Sequence, residues 1–180
     1  MPKRKNPDLF DKSGMSWAGP RNRWCTGVLK IRVLNSYLRE LRKEFELVEY
    51  IGIAADEPRR IKDGCYPLVE WGMTEKECLK FCYDRGFTWG GLYEIFNRVS
   101  CWCCPLQSLE ELRKLYIYFP DLWKQLEDWD RRTWRQFRAD YSVRDLTVRF
   151  CLEKRRRESG QSVNDRSFYR ELYKELGREA

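Results

Sequence analysis

Three cysteines fall within four residues at Cys101-Trp102-Cys103-Cys104, closed by Pro105, and a fourth, Cys25, lies far upstream in Arg23-Trp24-Cys25-Thr26. A Cys-x-x-Cys pair such as Cys101 and Cys104 lets two thiolates on one turn face a single ion, and Cys25 is the candidate third ligand. Cys103 is the nearest fourth, with Cys82 and Cys65 as alternatives. The 180 residues contain no His. This chain therefore has no Ser-His-Asp triad, no Cys-His pair and no His-ligated zinc, haem or facial iron triad. Four sulfurs around one centre mean an iron–sulfur cluster or zinc. A thiol redox pair and plain buried cysteines are the competing explanations. Three cysteines in four residues favour the metal. Cys78 and Cys82, four apart on one helix face, read as core residues, and Cys151 sits in an apolar helical pattern that predicts burial.

A second feature is Asp56-Glu57-Pro58-Arg59-Arg60, directly after an apolar run. Two guanidiniums at the end of a buried strand suit a phosphate or sulfate, because Arg presents a planar fork of donors. On local grounds alone the adjacent Asp56 and Glu57 favour a surface salt-bridge cluster. The chain also holds eight Trp. Beside basic residues such rings can stack on bases, but the spacing of Trp71, Trp89, Trp102, Trp123, Trp129 and Trp134 fits packing better.

The elements that must position these residues follow from periodicity. Leu34, Leu38, Leu41 and Phe45 predict a helix over about 27–45. Tyr50-Ile51-Gly52-Ile53-Ala54-Ala55, apolar on both faces, reads as a central parallel strand. Tyr66 to Trp71 is a second strand candidate, weakened by Pro67. Thr74 with Glu77 forms a capping box and Gly86 closes its helix. Ser108 with Glu111 opens another, Pro120 the next, and Ser142 with Asp145 a helix carrying Leu146, Phe150 and Leu152. Gly160 ends that helix, and Asn164 caps a last one through Leu176. The pattern predicts an α/β fold with a helical tail over about 142–180, a basic flexible leader over 1–20, and a single domain over 21–180.

Charge is uneven. The net +7 comes from residues 1–30, with seven basic and two acidic residues, and from 151–180, with eight against six; residues 31–150 hold twenty of each. The basic leader and the patch at Lys154–Arg157 leave nucleic acid a possible partner, although so small a surplus is more often a solvated surface. No apolar run reaches the roughly 18 residues of a membrane span, and no secretory signal follows Met1. The expected location is cytoplasmic, where thiols stay reduced.

At these residues the sequence resembles the phosphoadenosine phosphosulfate (PAPS) reductase family, in its phage and bacterial branch. The carriers, in order, are Arg21-Asn22-Arg23-Trp24-Cys25-Thr26 with Leu29-Lys30, then Tyr50–Ile53 with Asp56-Glu57 and Arg59-Arg60, then Cys101-Trp102-Cys103-Cys104-Pro105-Leu106-Gln107. The likeness covers about Pro20 to Tyr141. It implies a partial adenine-nucleotide α-hydrolase-like parallel sheet with flanking helices. Arg23, Lys30, Arg59 and Arg60 would face the anionic end of an adenine nucleotide, or a sulfate or phosphate, and Cys25, Cys101 and Cys104 would be cluster cysteines. The superfamily includes the sulfur-transfer enzymes of DNA phosphorothioation, which hold an iron–sulfur cluster through comparable cysteines.

Two family parts are missing. No Ser-Gly-Gly-x-Asp-Ser type pyrophosphate loop precedes the motifs, and no Glu-Cys-Gly-Leu-His nucleophile motif ends the chain, which finishes Gly177-Arg178-Glu179-Ala180. The sequence thus reads as a PAPS-reductase-like cysteine-metal domain, catalytically incomplete alone. The exposed sheet edge left by the missing half would dock a protein partner or a second copy. The alternative is a non-enzymatic phage or mobile-element binding protein acting on RNA, DNA or a host protein, such as an inhibitor of host defence.

Overall fold

Helical periodicity governs the second half of the chain and reaches further into the first half than the sequence suggests. The computed structural model describes residues 16–178. They divide into two compact units, Gly27–Val99, called here the inserted unit, and 16–26 with 100–178, called the thiol unit. Residues 1–15 of the expected leader lie outside the described residues.

In the inserted unit a π-helical turn, Thr26–Ile31, leads into α1, Arg32–Leu41. The helix expected to Phe45 therefore stops four residues early. Single turns follow at Pro58–Arg60 and Pro67–Glu70, then α2, Glu75–Tyr83, and short turns at Trp89–Gly91 and Leu92–Ile95. The Thr74–Glu77 capping box forms as read, with the Thr74 N–H donating to Glu77 Oε2 at 2.9 Å. Of the apolar residues here only Ile53, Ala54 and Tyr66 are buried.

The described residues of the thiol unit hold four longer helices: α3, Leu109–Tyr118; α4, Pro120–Asp130; α5, Val143–Glu158; and α6, Arg166–Glu175. Pro120 starts α4 because its fixed φ and missing N–H cost nothing in a first turn. α5 packs on α3, α4 and α6. Its Leu146, Phe150 and Leu152 meet Leu112, Leu115, Trp123 and Leu126, all buried. Three charged side chains are buried on the same helix. Arg149 donates to Glu153 at 2.9 Å and to the Tyr141 hydroxyl at 2.8 Å, and Glu153 also accepts from Arg113. Arg156 reaches Glu171 at 2.8 Å and the Ser162 carbonyl at 2.7 Å. Buried charge persists where it is paired in this way. The last helix is capped by Asp165, whose carboxylate accepts from Phe168 N–H at 2.8 Å, and not by Asn164.

The parallel sheet of the expected α/β fold does not exist among the described residues. Their only β pairings are two isolated bridges, Gly19 with Asn22 and Tyr50 with Cys65. The apolar run at 50–55 is not a central strand: Tyr50 is 71% and Ile51 40% exposed, while Ile53 and Ala54 are buried. It is tied by separate backbone bonds, Ile51 N–H to the Cys65 carbonyl and Ala55 N–H to the Met73 carbonyl. No neighbouring strand continues either bond into a ladder. The second candidate strand is the helical turn Pro67–Glu70, where Pro67 fits at the start. With no sheet there is no sheet edge, so the docking site expected there falls with the strands.

Candidate metal centre

The cysteine-rich segment belongs to the thiol unit, directly before α3. The Cys104 N–H donates to the Cys101 carbonyl at 3.1 Å, and the Gln107 N–H to the Cys104 carbonyl at 3.2 Å, giving two successive tight turns. The Gln107 side-chain amide donates to the carbonyls of Cys101, at 2.5 Å, and Trp102, at 3.2 Å. Arg138 fastens the exit of the loop by donating to the carbonyls of Pro105 at 3.1 Å and Gln107 at 2.6 Å. Trp102 leans on Trp129 with ring centres 5.2 Å apart, and both Trp102 and Cys103 pack against the core. Backbone carbonyls are thus satisfied from within, which leaves the thiols of Cys101 and Cys104 on a fixed turn.

Cys25 is held by a second anchor. Gly19 and Asn22 exchange backbone bonds at 3.0 and 3.1 Å, and the Trp24 indole donates to the Ser16 carbonyl at 3.1 Å. Trp17 is buried, edge-on to Phe137 at 4.9 Å, and donates to Asp130 Oδ1 at 2.7 Å. The other Asp130 oxygen accepts from Val143 N–H at 2.8 Å. One carboxylate therefore ties the segment leading to Cys25, the end of α4 and the start of α5.

All four cysteines the sequence nominated belong to the thiol unit, and Cys101, Cys104 and Cys25 are near enough to Cys103 to act on its thiol. Burial pushes the Cys103 thiol up to about 11, and the neighbouring sulfurs of Cys101, Cys104 and Cys25 push in the same direction. Cys101 is exposed; Cys25, Cys103 and Cys104 are half-buried. The alternative fourth ligands, Cys65 and Cys82, belong to the inserted unit. No three His, Cys, Asp or Glu among the described residues stand as a group that could hold a metal ion. The donor set is of the soft kind that zinc or an iron–sulfur cluster takes, and its side chains are not grouped around one centre.

The predicted anion site is differently placed. Arg60 donates to both carboxylate oxygens of Glu57, at 2.6 and 2.8 Å, and this bond holds Glu57 below the usual carboxylate range. Asp56 accepts the Glu75 N–H at 3.0 Å, so it serves the start of α2. Arg59, Arg23 and Lys30 are exposed. Lys30, Arg59 and Arg60 lie in the inserted unit and Arg23 in the thiol unit. For Arg60 the salt-bridge explanation holds.

Sequence reasoning missed Gln107 as a side-chain clamp, Arg138, Asp130 and Trp17. Each acts on a backbone or carboxylate group that leaves no periodic mark. Cys151 is exposed, against expectation, and lies 3.2 Å from the Tyr116 hydroxyl. That bond and burial push the Tyr116 phenol up to about 12.

No family model matches the chain. It is similar to an uncharacterized protein of Methanocaldococcus jannaschii, 24% identical over 128 residues, covering 59% of this chain and 25% of that protein. The chain thus spans about a quarter of the length of this curated relative. No solved structure matches.

Proposed function

We propose that the chain is a cysteine-metal protein of the thiol unit, in which Cys25, Cys101, Cys103 and Cys104 hold an iron–sulfur cluster, with zinc as the alternative occupant. The observation that carries this reading is the Cys101–Cys104 turn, fixed by the bonds from Cys104 N–H to the Cys101 carbonyl and from Gln107 to the loop carbonyls, with Cys25 near enough to act on the Cys103 thiol. Such a centre supplies electron transfer or a structural staple. The motif order supports kinship with PAPS-reductase-like, nucleotide-dependent sulfur chemistry in a form incomplete alone, with an adenine nucleotide, sulfate or phosphate as the ligand. No helix among the described residues is long and apolar enough to cross a membrane, and unpaired thiols fit a cytoplasmic setting.

Anaerobic purification followed by iron, sulfide and zinc analysis tests the centre. Brown protein with iron and sulfide is the expected result, and colourless protein with one zinc selects the alternative. Full metal occupancy in a Cys101→Ser/Cys104→Ser double variant would overturn the ligand assignment.

The second reading is a binding protein, on RNA, DNA or a host protein. The exposed Leu34, Tyr37, Phe45 and Val48 of the inserted unit favour a protein target over nucleic acid. Salt-insensitive capture of a defined host protein by metal-free chain would select it; strong salt dependence would point to nucleic acid.

A further inference from the structure

A cleft of about 720 Å³ opens in the thiol unit between the Ala18–Pro20 turn, the loop exit Pro105–Ser108 and the segment Arg135–Asp140. Its volume is that of a small-molecule site. Pro20, Pro105 and Leu106 give it apolar walls, and Gln107, Ser108 and Gln136 add polar groups.

Its charges are not balanced. Arg138 is spent: it donates to two backbone carbonyls and pairs with Asp140 at 2.9 Å. Asp140 is the only carboxylate of the lining, and that pair accounts for it. Arg135 is exposed and has no ion pair among the described residues. Its guanidinium lies over Gly19, where a Cβ would stand 2.9 Å from Nη2. Gly19 is buried, and its φ is not in the left-handed region, so a Cβ there would meet the tip of the Arg135 side chain and not backbone strain.

We infer that this cleft binds a small molecule with an apolar body and one oxyanion end, carboxylate or phosphate, taken by Arg135. A guanidinium fork grips either group through two parallel donors, and the apolar walls cover one side of the remainder of the molecule. The site requires no metal at the thiols, so it stands or falls independently of the centre proposed above.

Calorimetric titration of the full chain with benzoate, phenyl phosphate and the neutral benzyl alcohol tests it. Both anions are expected to bind at least about tenfold more tightly than the alcohol, the effect of one charge-assisted pair. The order of benzoate and phenyl phosphate then distinguishes carboxylate from phosphate ligands. Arg135→Gln should abolish the preference for anions, Arg135→Lys should keep part of it, and Gly19→Ala should weaken it by displacing the guanidinium. Arg144→Gln removes the same charge from an exposed position on α5 and should change nothing. Equal binding of alcohol and anions, no anion binding at millimolar concentration, or an anion preference that survives Arg135→Gln would each overturn the inference.

Discussion

The two units differ in what holds them. Among the described residues, the thiol unit has thirteen buried apolar residues in one cluster, whereas the inserted unit has Ile53, Ala54 and Tyr66. Of the large apolar side chains exposed among the described residues, fourteen belong to the inserted unit and four to the thiol unit. The inserted unit is held by caps, tight turns and scattered backbone bonds, and its aromatic residues meet in small groups such as Trp89 with Tyr83 and Tyr93. Precise placement of a side chain requires a packed support beneath it. Only the thiol unit offers that support among the described residues, and the Cys101–Cys104 turn and the Arg135 cleft are both found there. The inserted unit presents apolar surface of the kind that partners cover.

The largest test of this contrast is truncation of each core. Phe150 is buried against Tyr116 and Trp123, with ring centres 5.7 Å from each. Phe150→Ala should cost about 3–5 kcal/mol. Glu153→Ala should cost a similar amount, on the order of 3–5 kcal/mol, because Arg149 and Arg113 lose the carboxylate between them. Hydrogen exchange is the readout: either change should speed exchange throughout α3, α4 and α5. Ile53→Ala in the inserted unit should leave those helices protected. Equal loss of protection in α5 from Ile53→Ala would break the distinction between the units.

The same contrast explains what was legible in the sequence. The helices of the thiol unit carry both local and global signals: Pro120 at a first turn, Ser142 with Asp145 as a box, and an apolar stripe that finds a core. Local chemistry and burial agree there, so α3, α4 and α5 start where they were read. The Cys101–Cys104 turn was legible because its spacing is itself the geometry. The run at 50–55 was misread because a short apolar segment with no amphipathic period fits a buried strand or an irregular anchor equally well. Only the missing partner strand decides, and partners are not local. Asp165 took the cap from Asn164, since both residues cap well and one position separates them. Cys151 faces outward because the buried face of α5 is claimed by Arg149, Glu153 and Arg156, charges that a hydrophobic pattern assigns to solvent.

A smaller effect sharpens the role of the thiols. With Cys103 held at about 11 in the fold against an ordinary thiol at 9.0, both states keep the proton below about pH 9, and the contribution is fully present. Between about pH 9 and 11 the unfolded chain ionises while the fold does not, so stability falls as pH rises, by on the order of 3 kcal/mol. Denaturant melts of metal-free protein across this window should show the loss, and Cys103→Ala should flatten it. Metal-loaded protein should behave oppositely. A bound cation keeps Cys103 as thiolate, the alkaline loss vanishes, and acid releases the metal as protons compete for sulfur. An alkaline loss of unchanged size in metal-loaded protein would remove Cys103 from the ligand set.

The smallest effect comes from the same device used once in each unit. Thr74 with Glu77 and Ser142 with Asp145 form reciprocal boxes, with the side-chain oxygens accepting from the third helical N–H at 3.3 and 3.1 Å. Thr74→Ala and Ser142→Ala each remove one such acceptor, a change of about 1 kcal/mol. Their consequences should nevertheless differ. α5 is the helix on which α3, α4 and α6 pack, so weakening its first turn lowers the stability of the whole thiol unit. Thermal melting should register Ser142→Ala as a shift in the main transition, with exchange faster across all four helices. α2 has no buried residue, so Thr74→Ala should release amides in its first turn and leave the thiol unit untouched. Part of the Ser142 box survives its own loss, because Asp145 still accepts from the Ser142 N–H at 2.9 Å and from Arg178 at 2.8 Å. A double variant, Ser142→Ala with Arg178→Ala, should therefore exceed the sum of the two single changes. Strict additivity there would show that Arg178 does nothing to hold the cap.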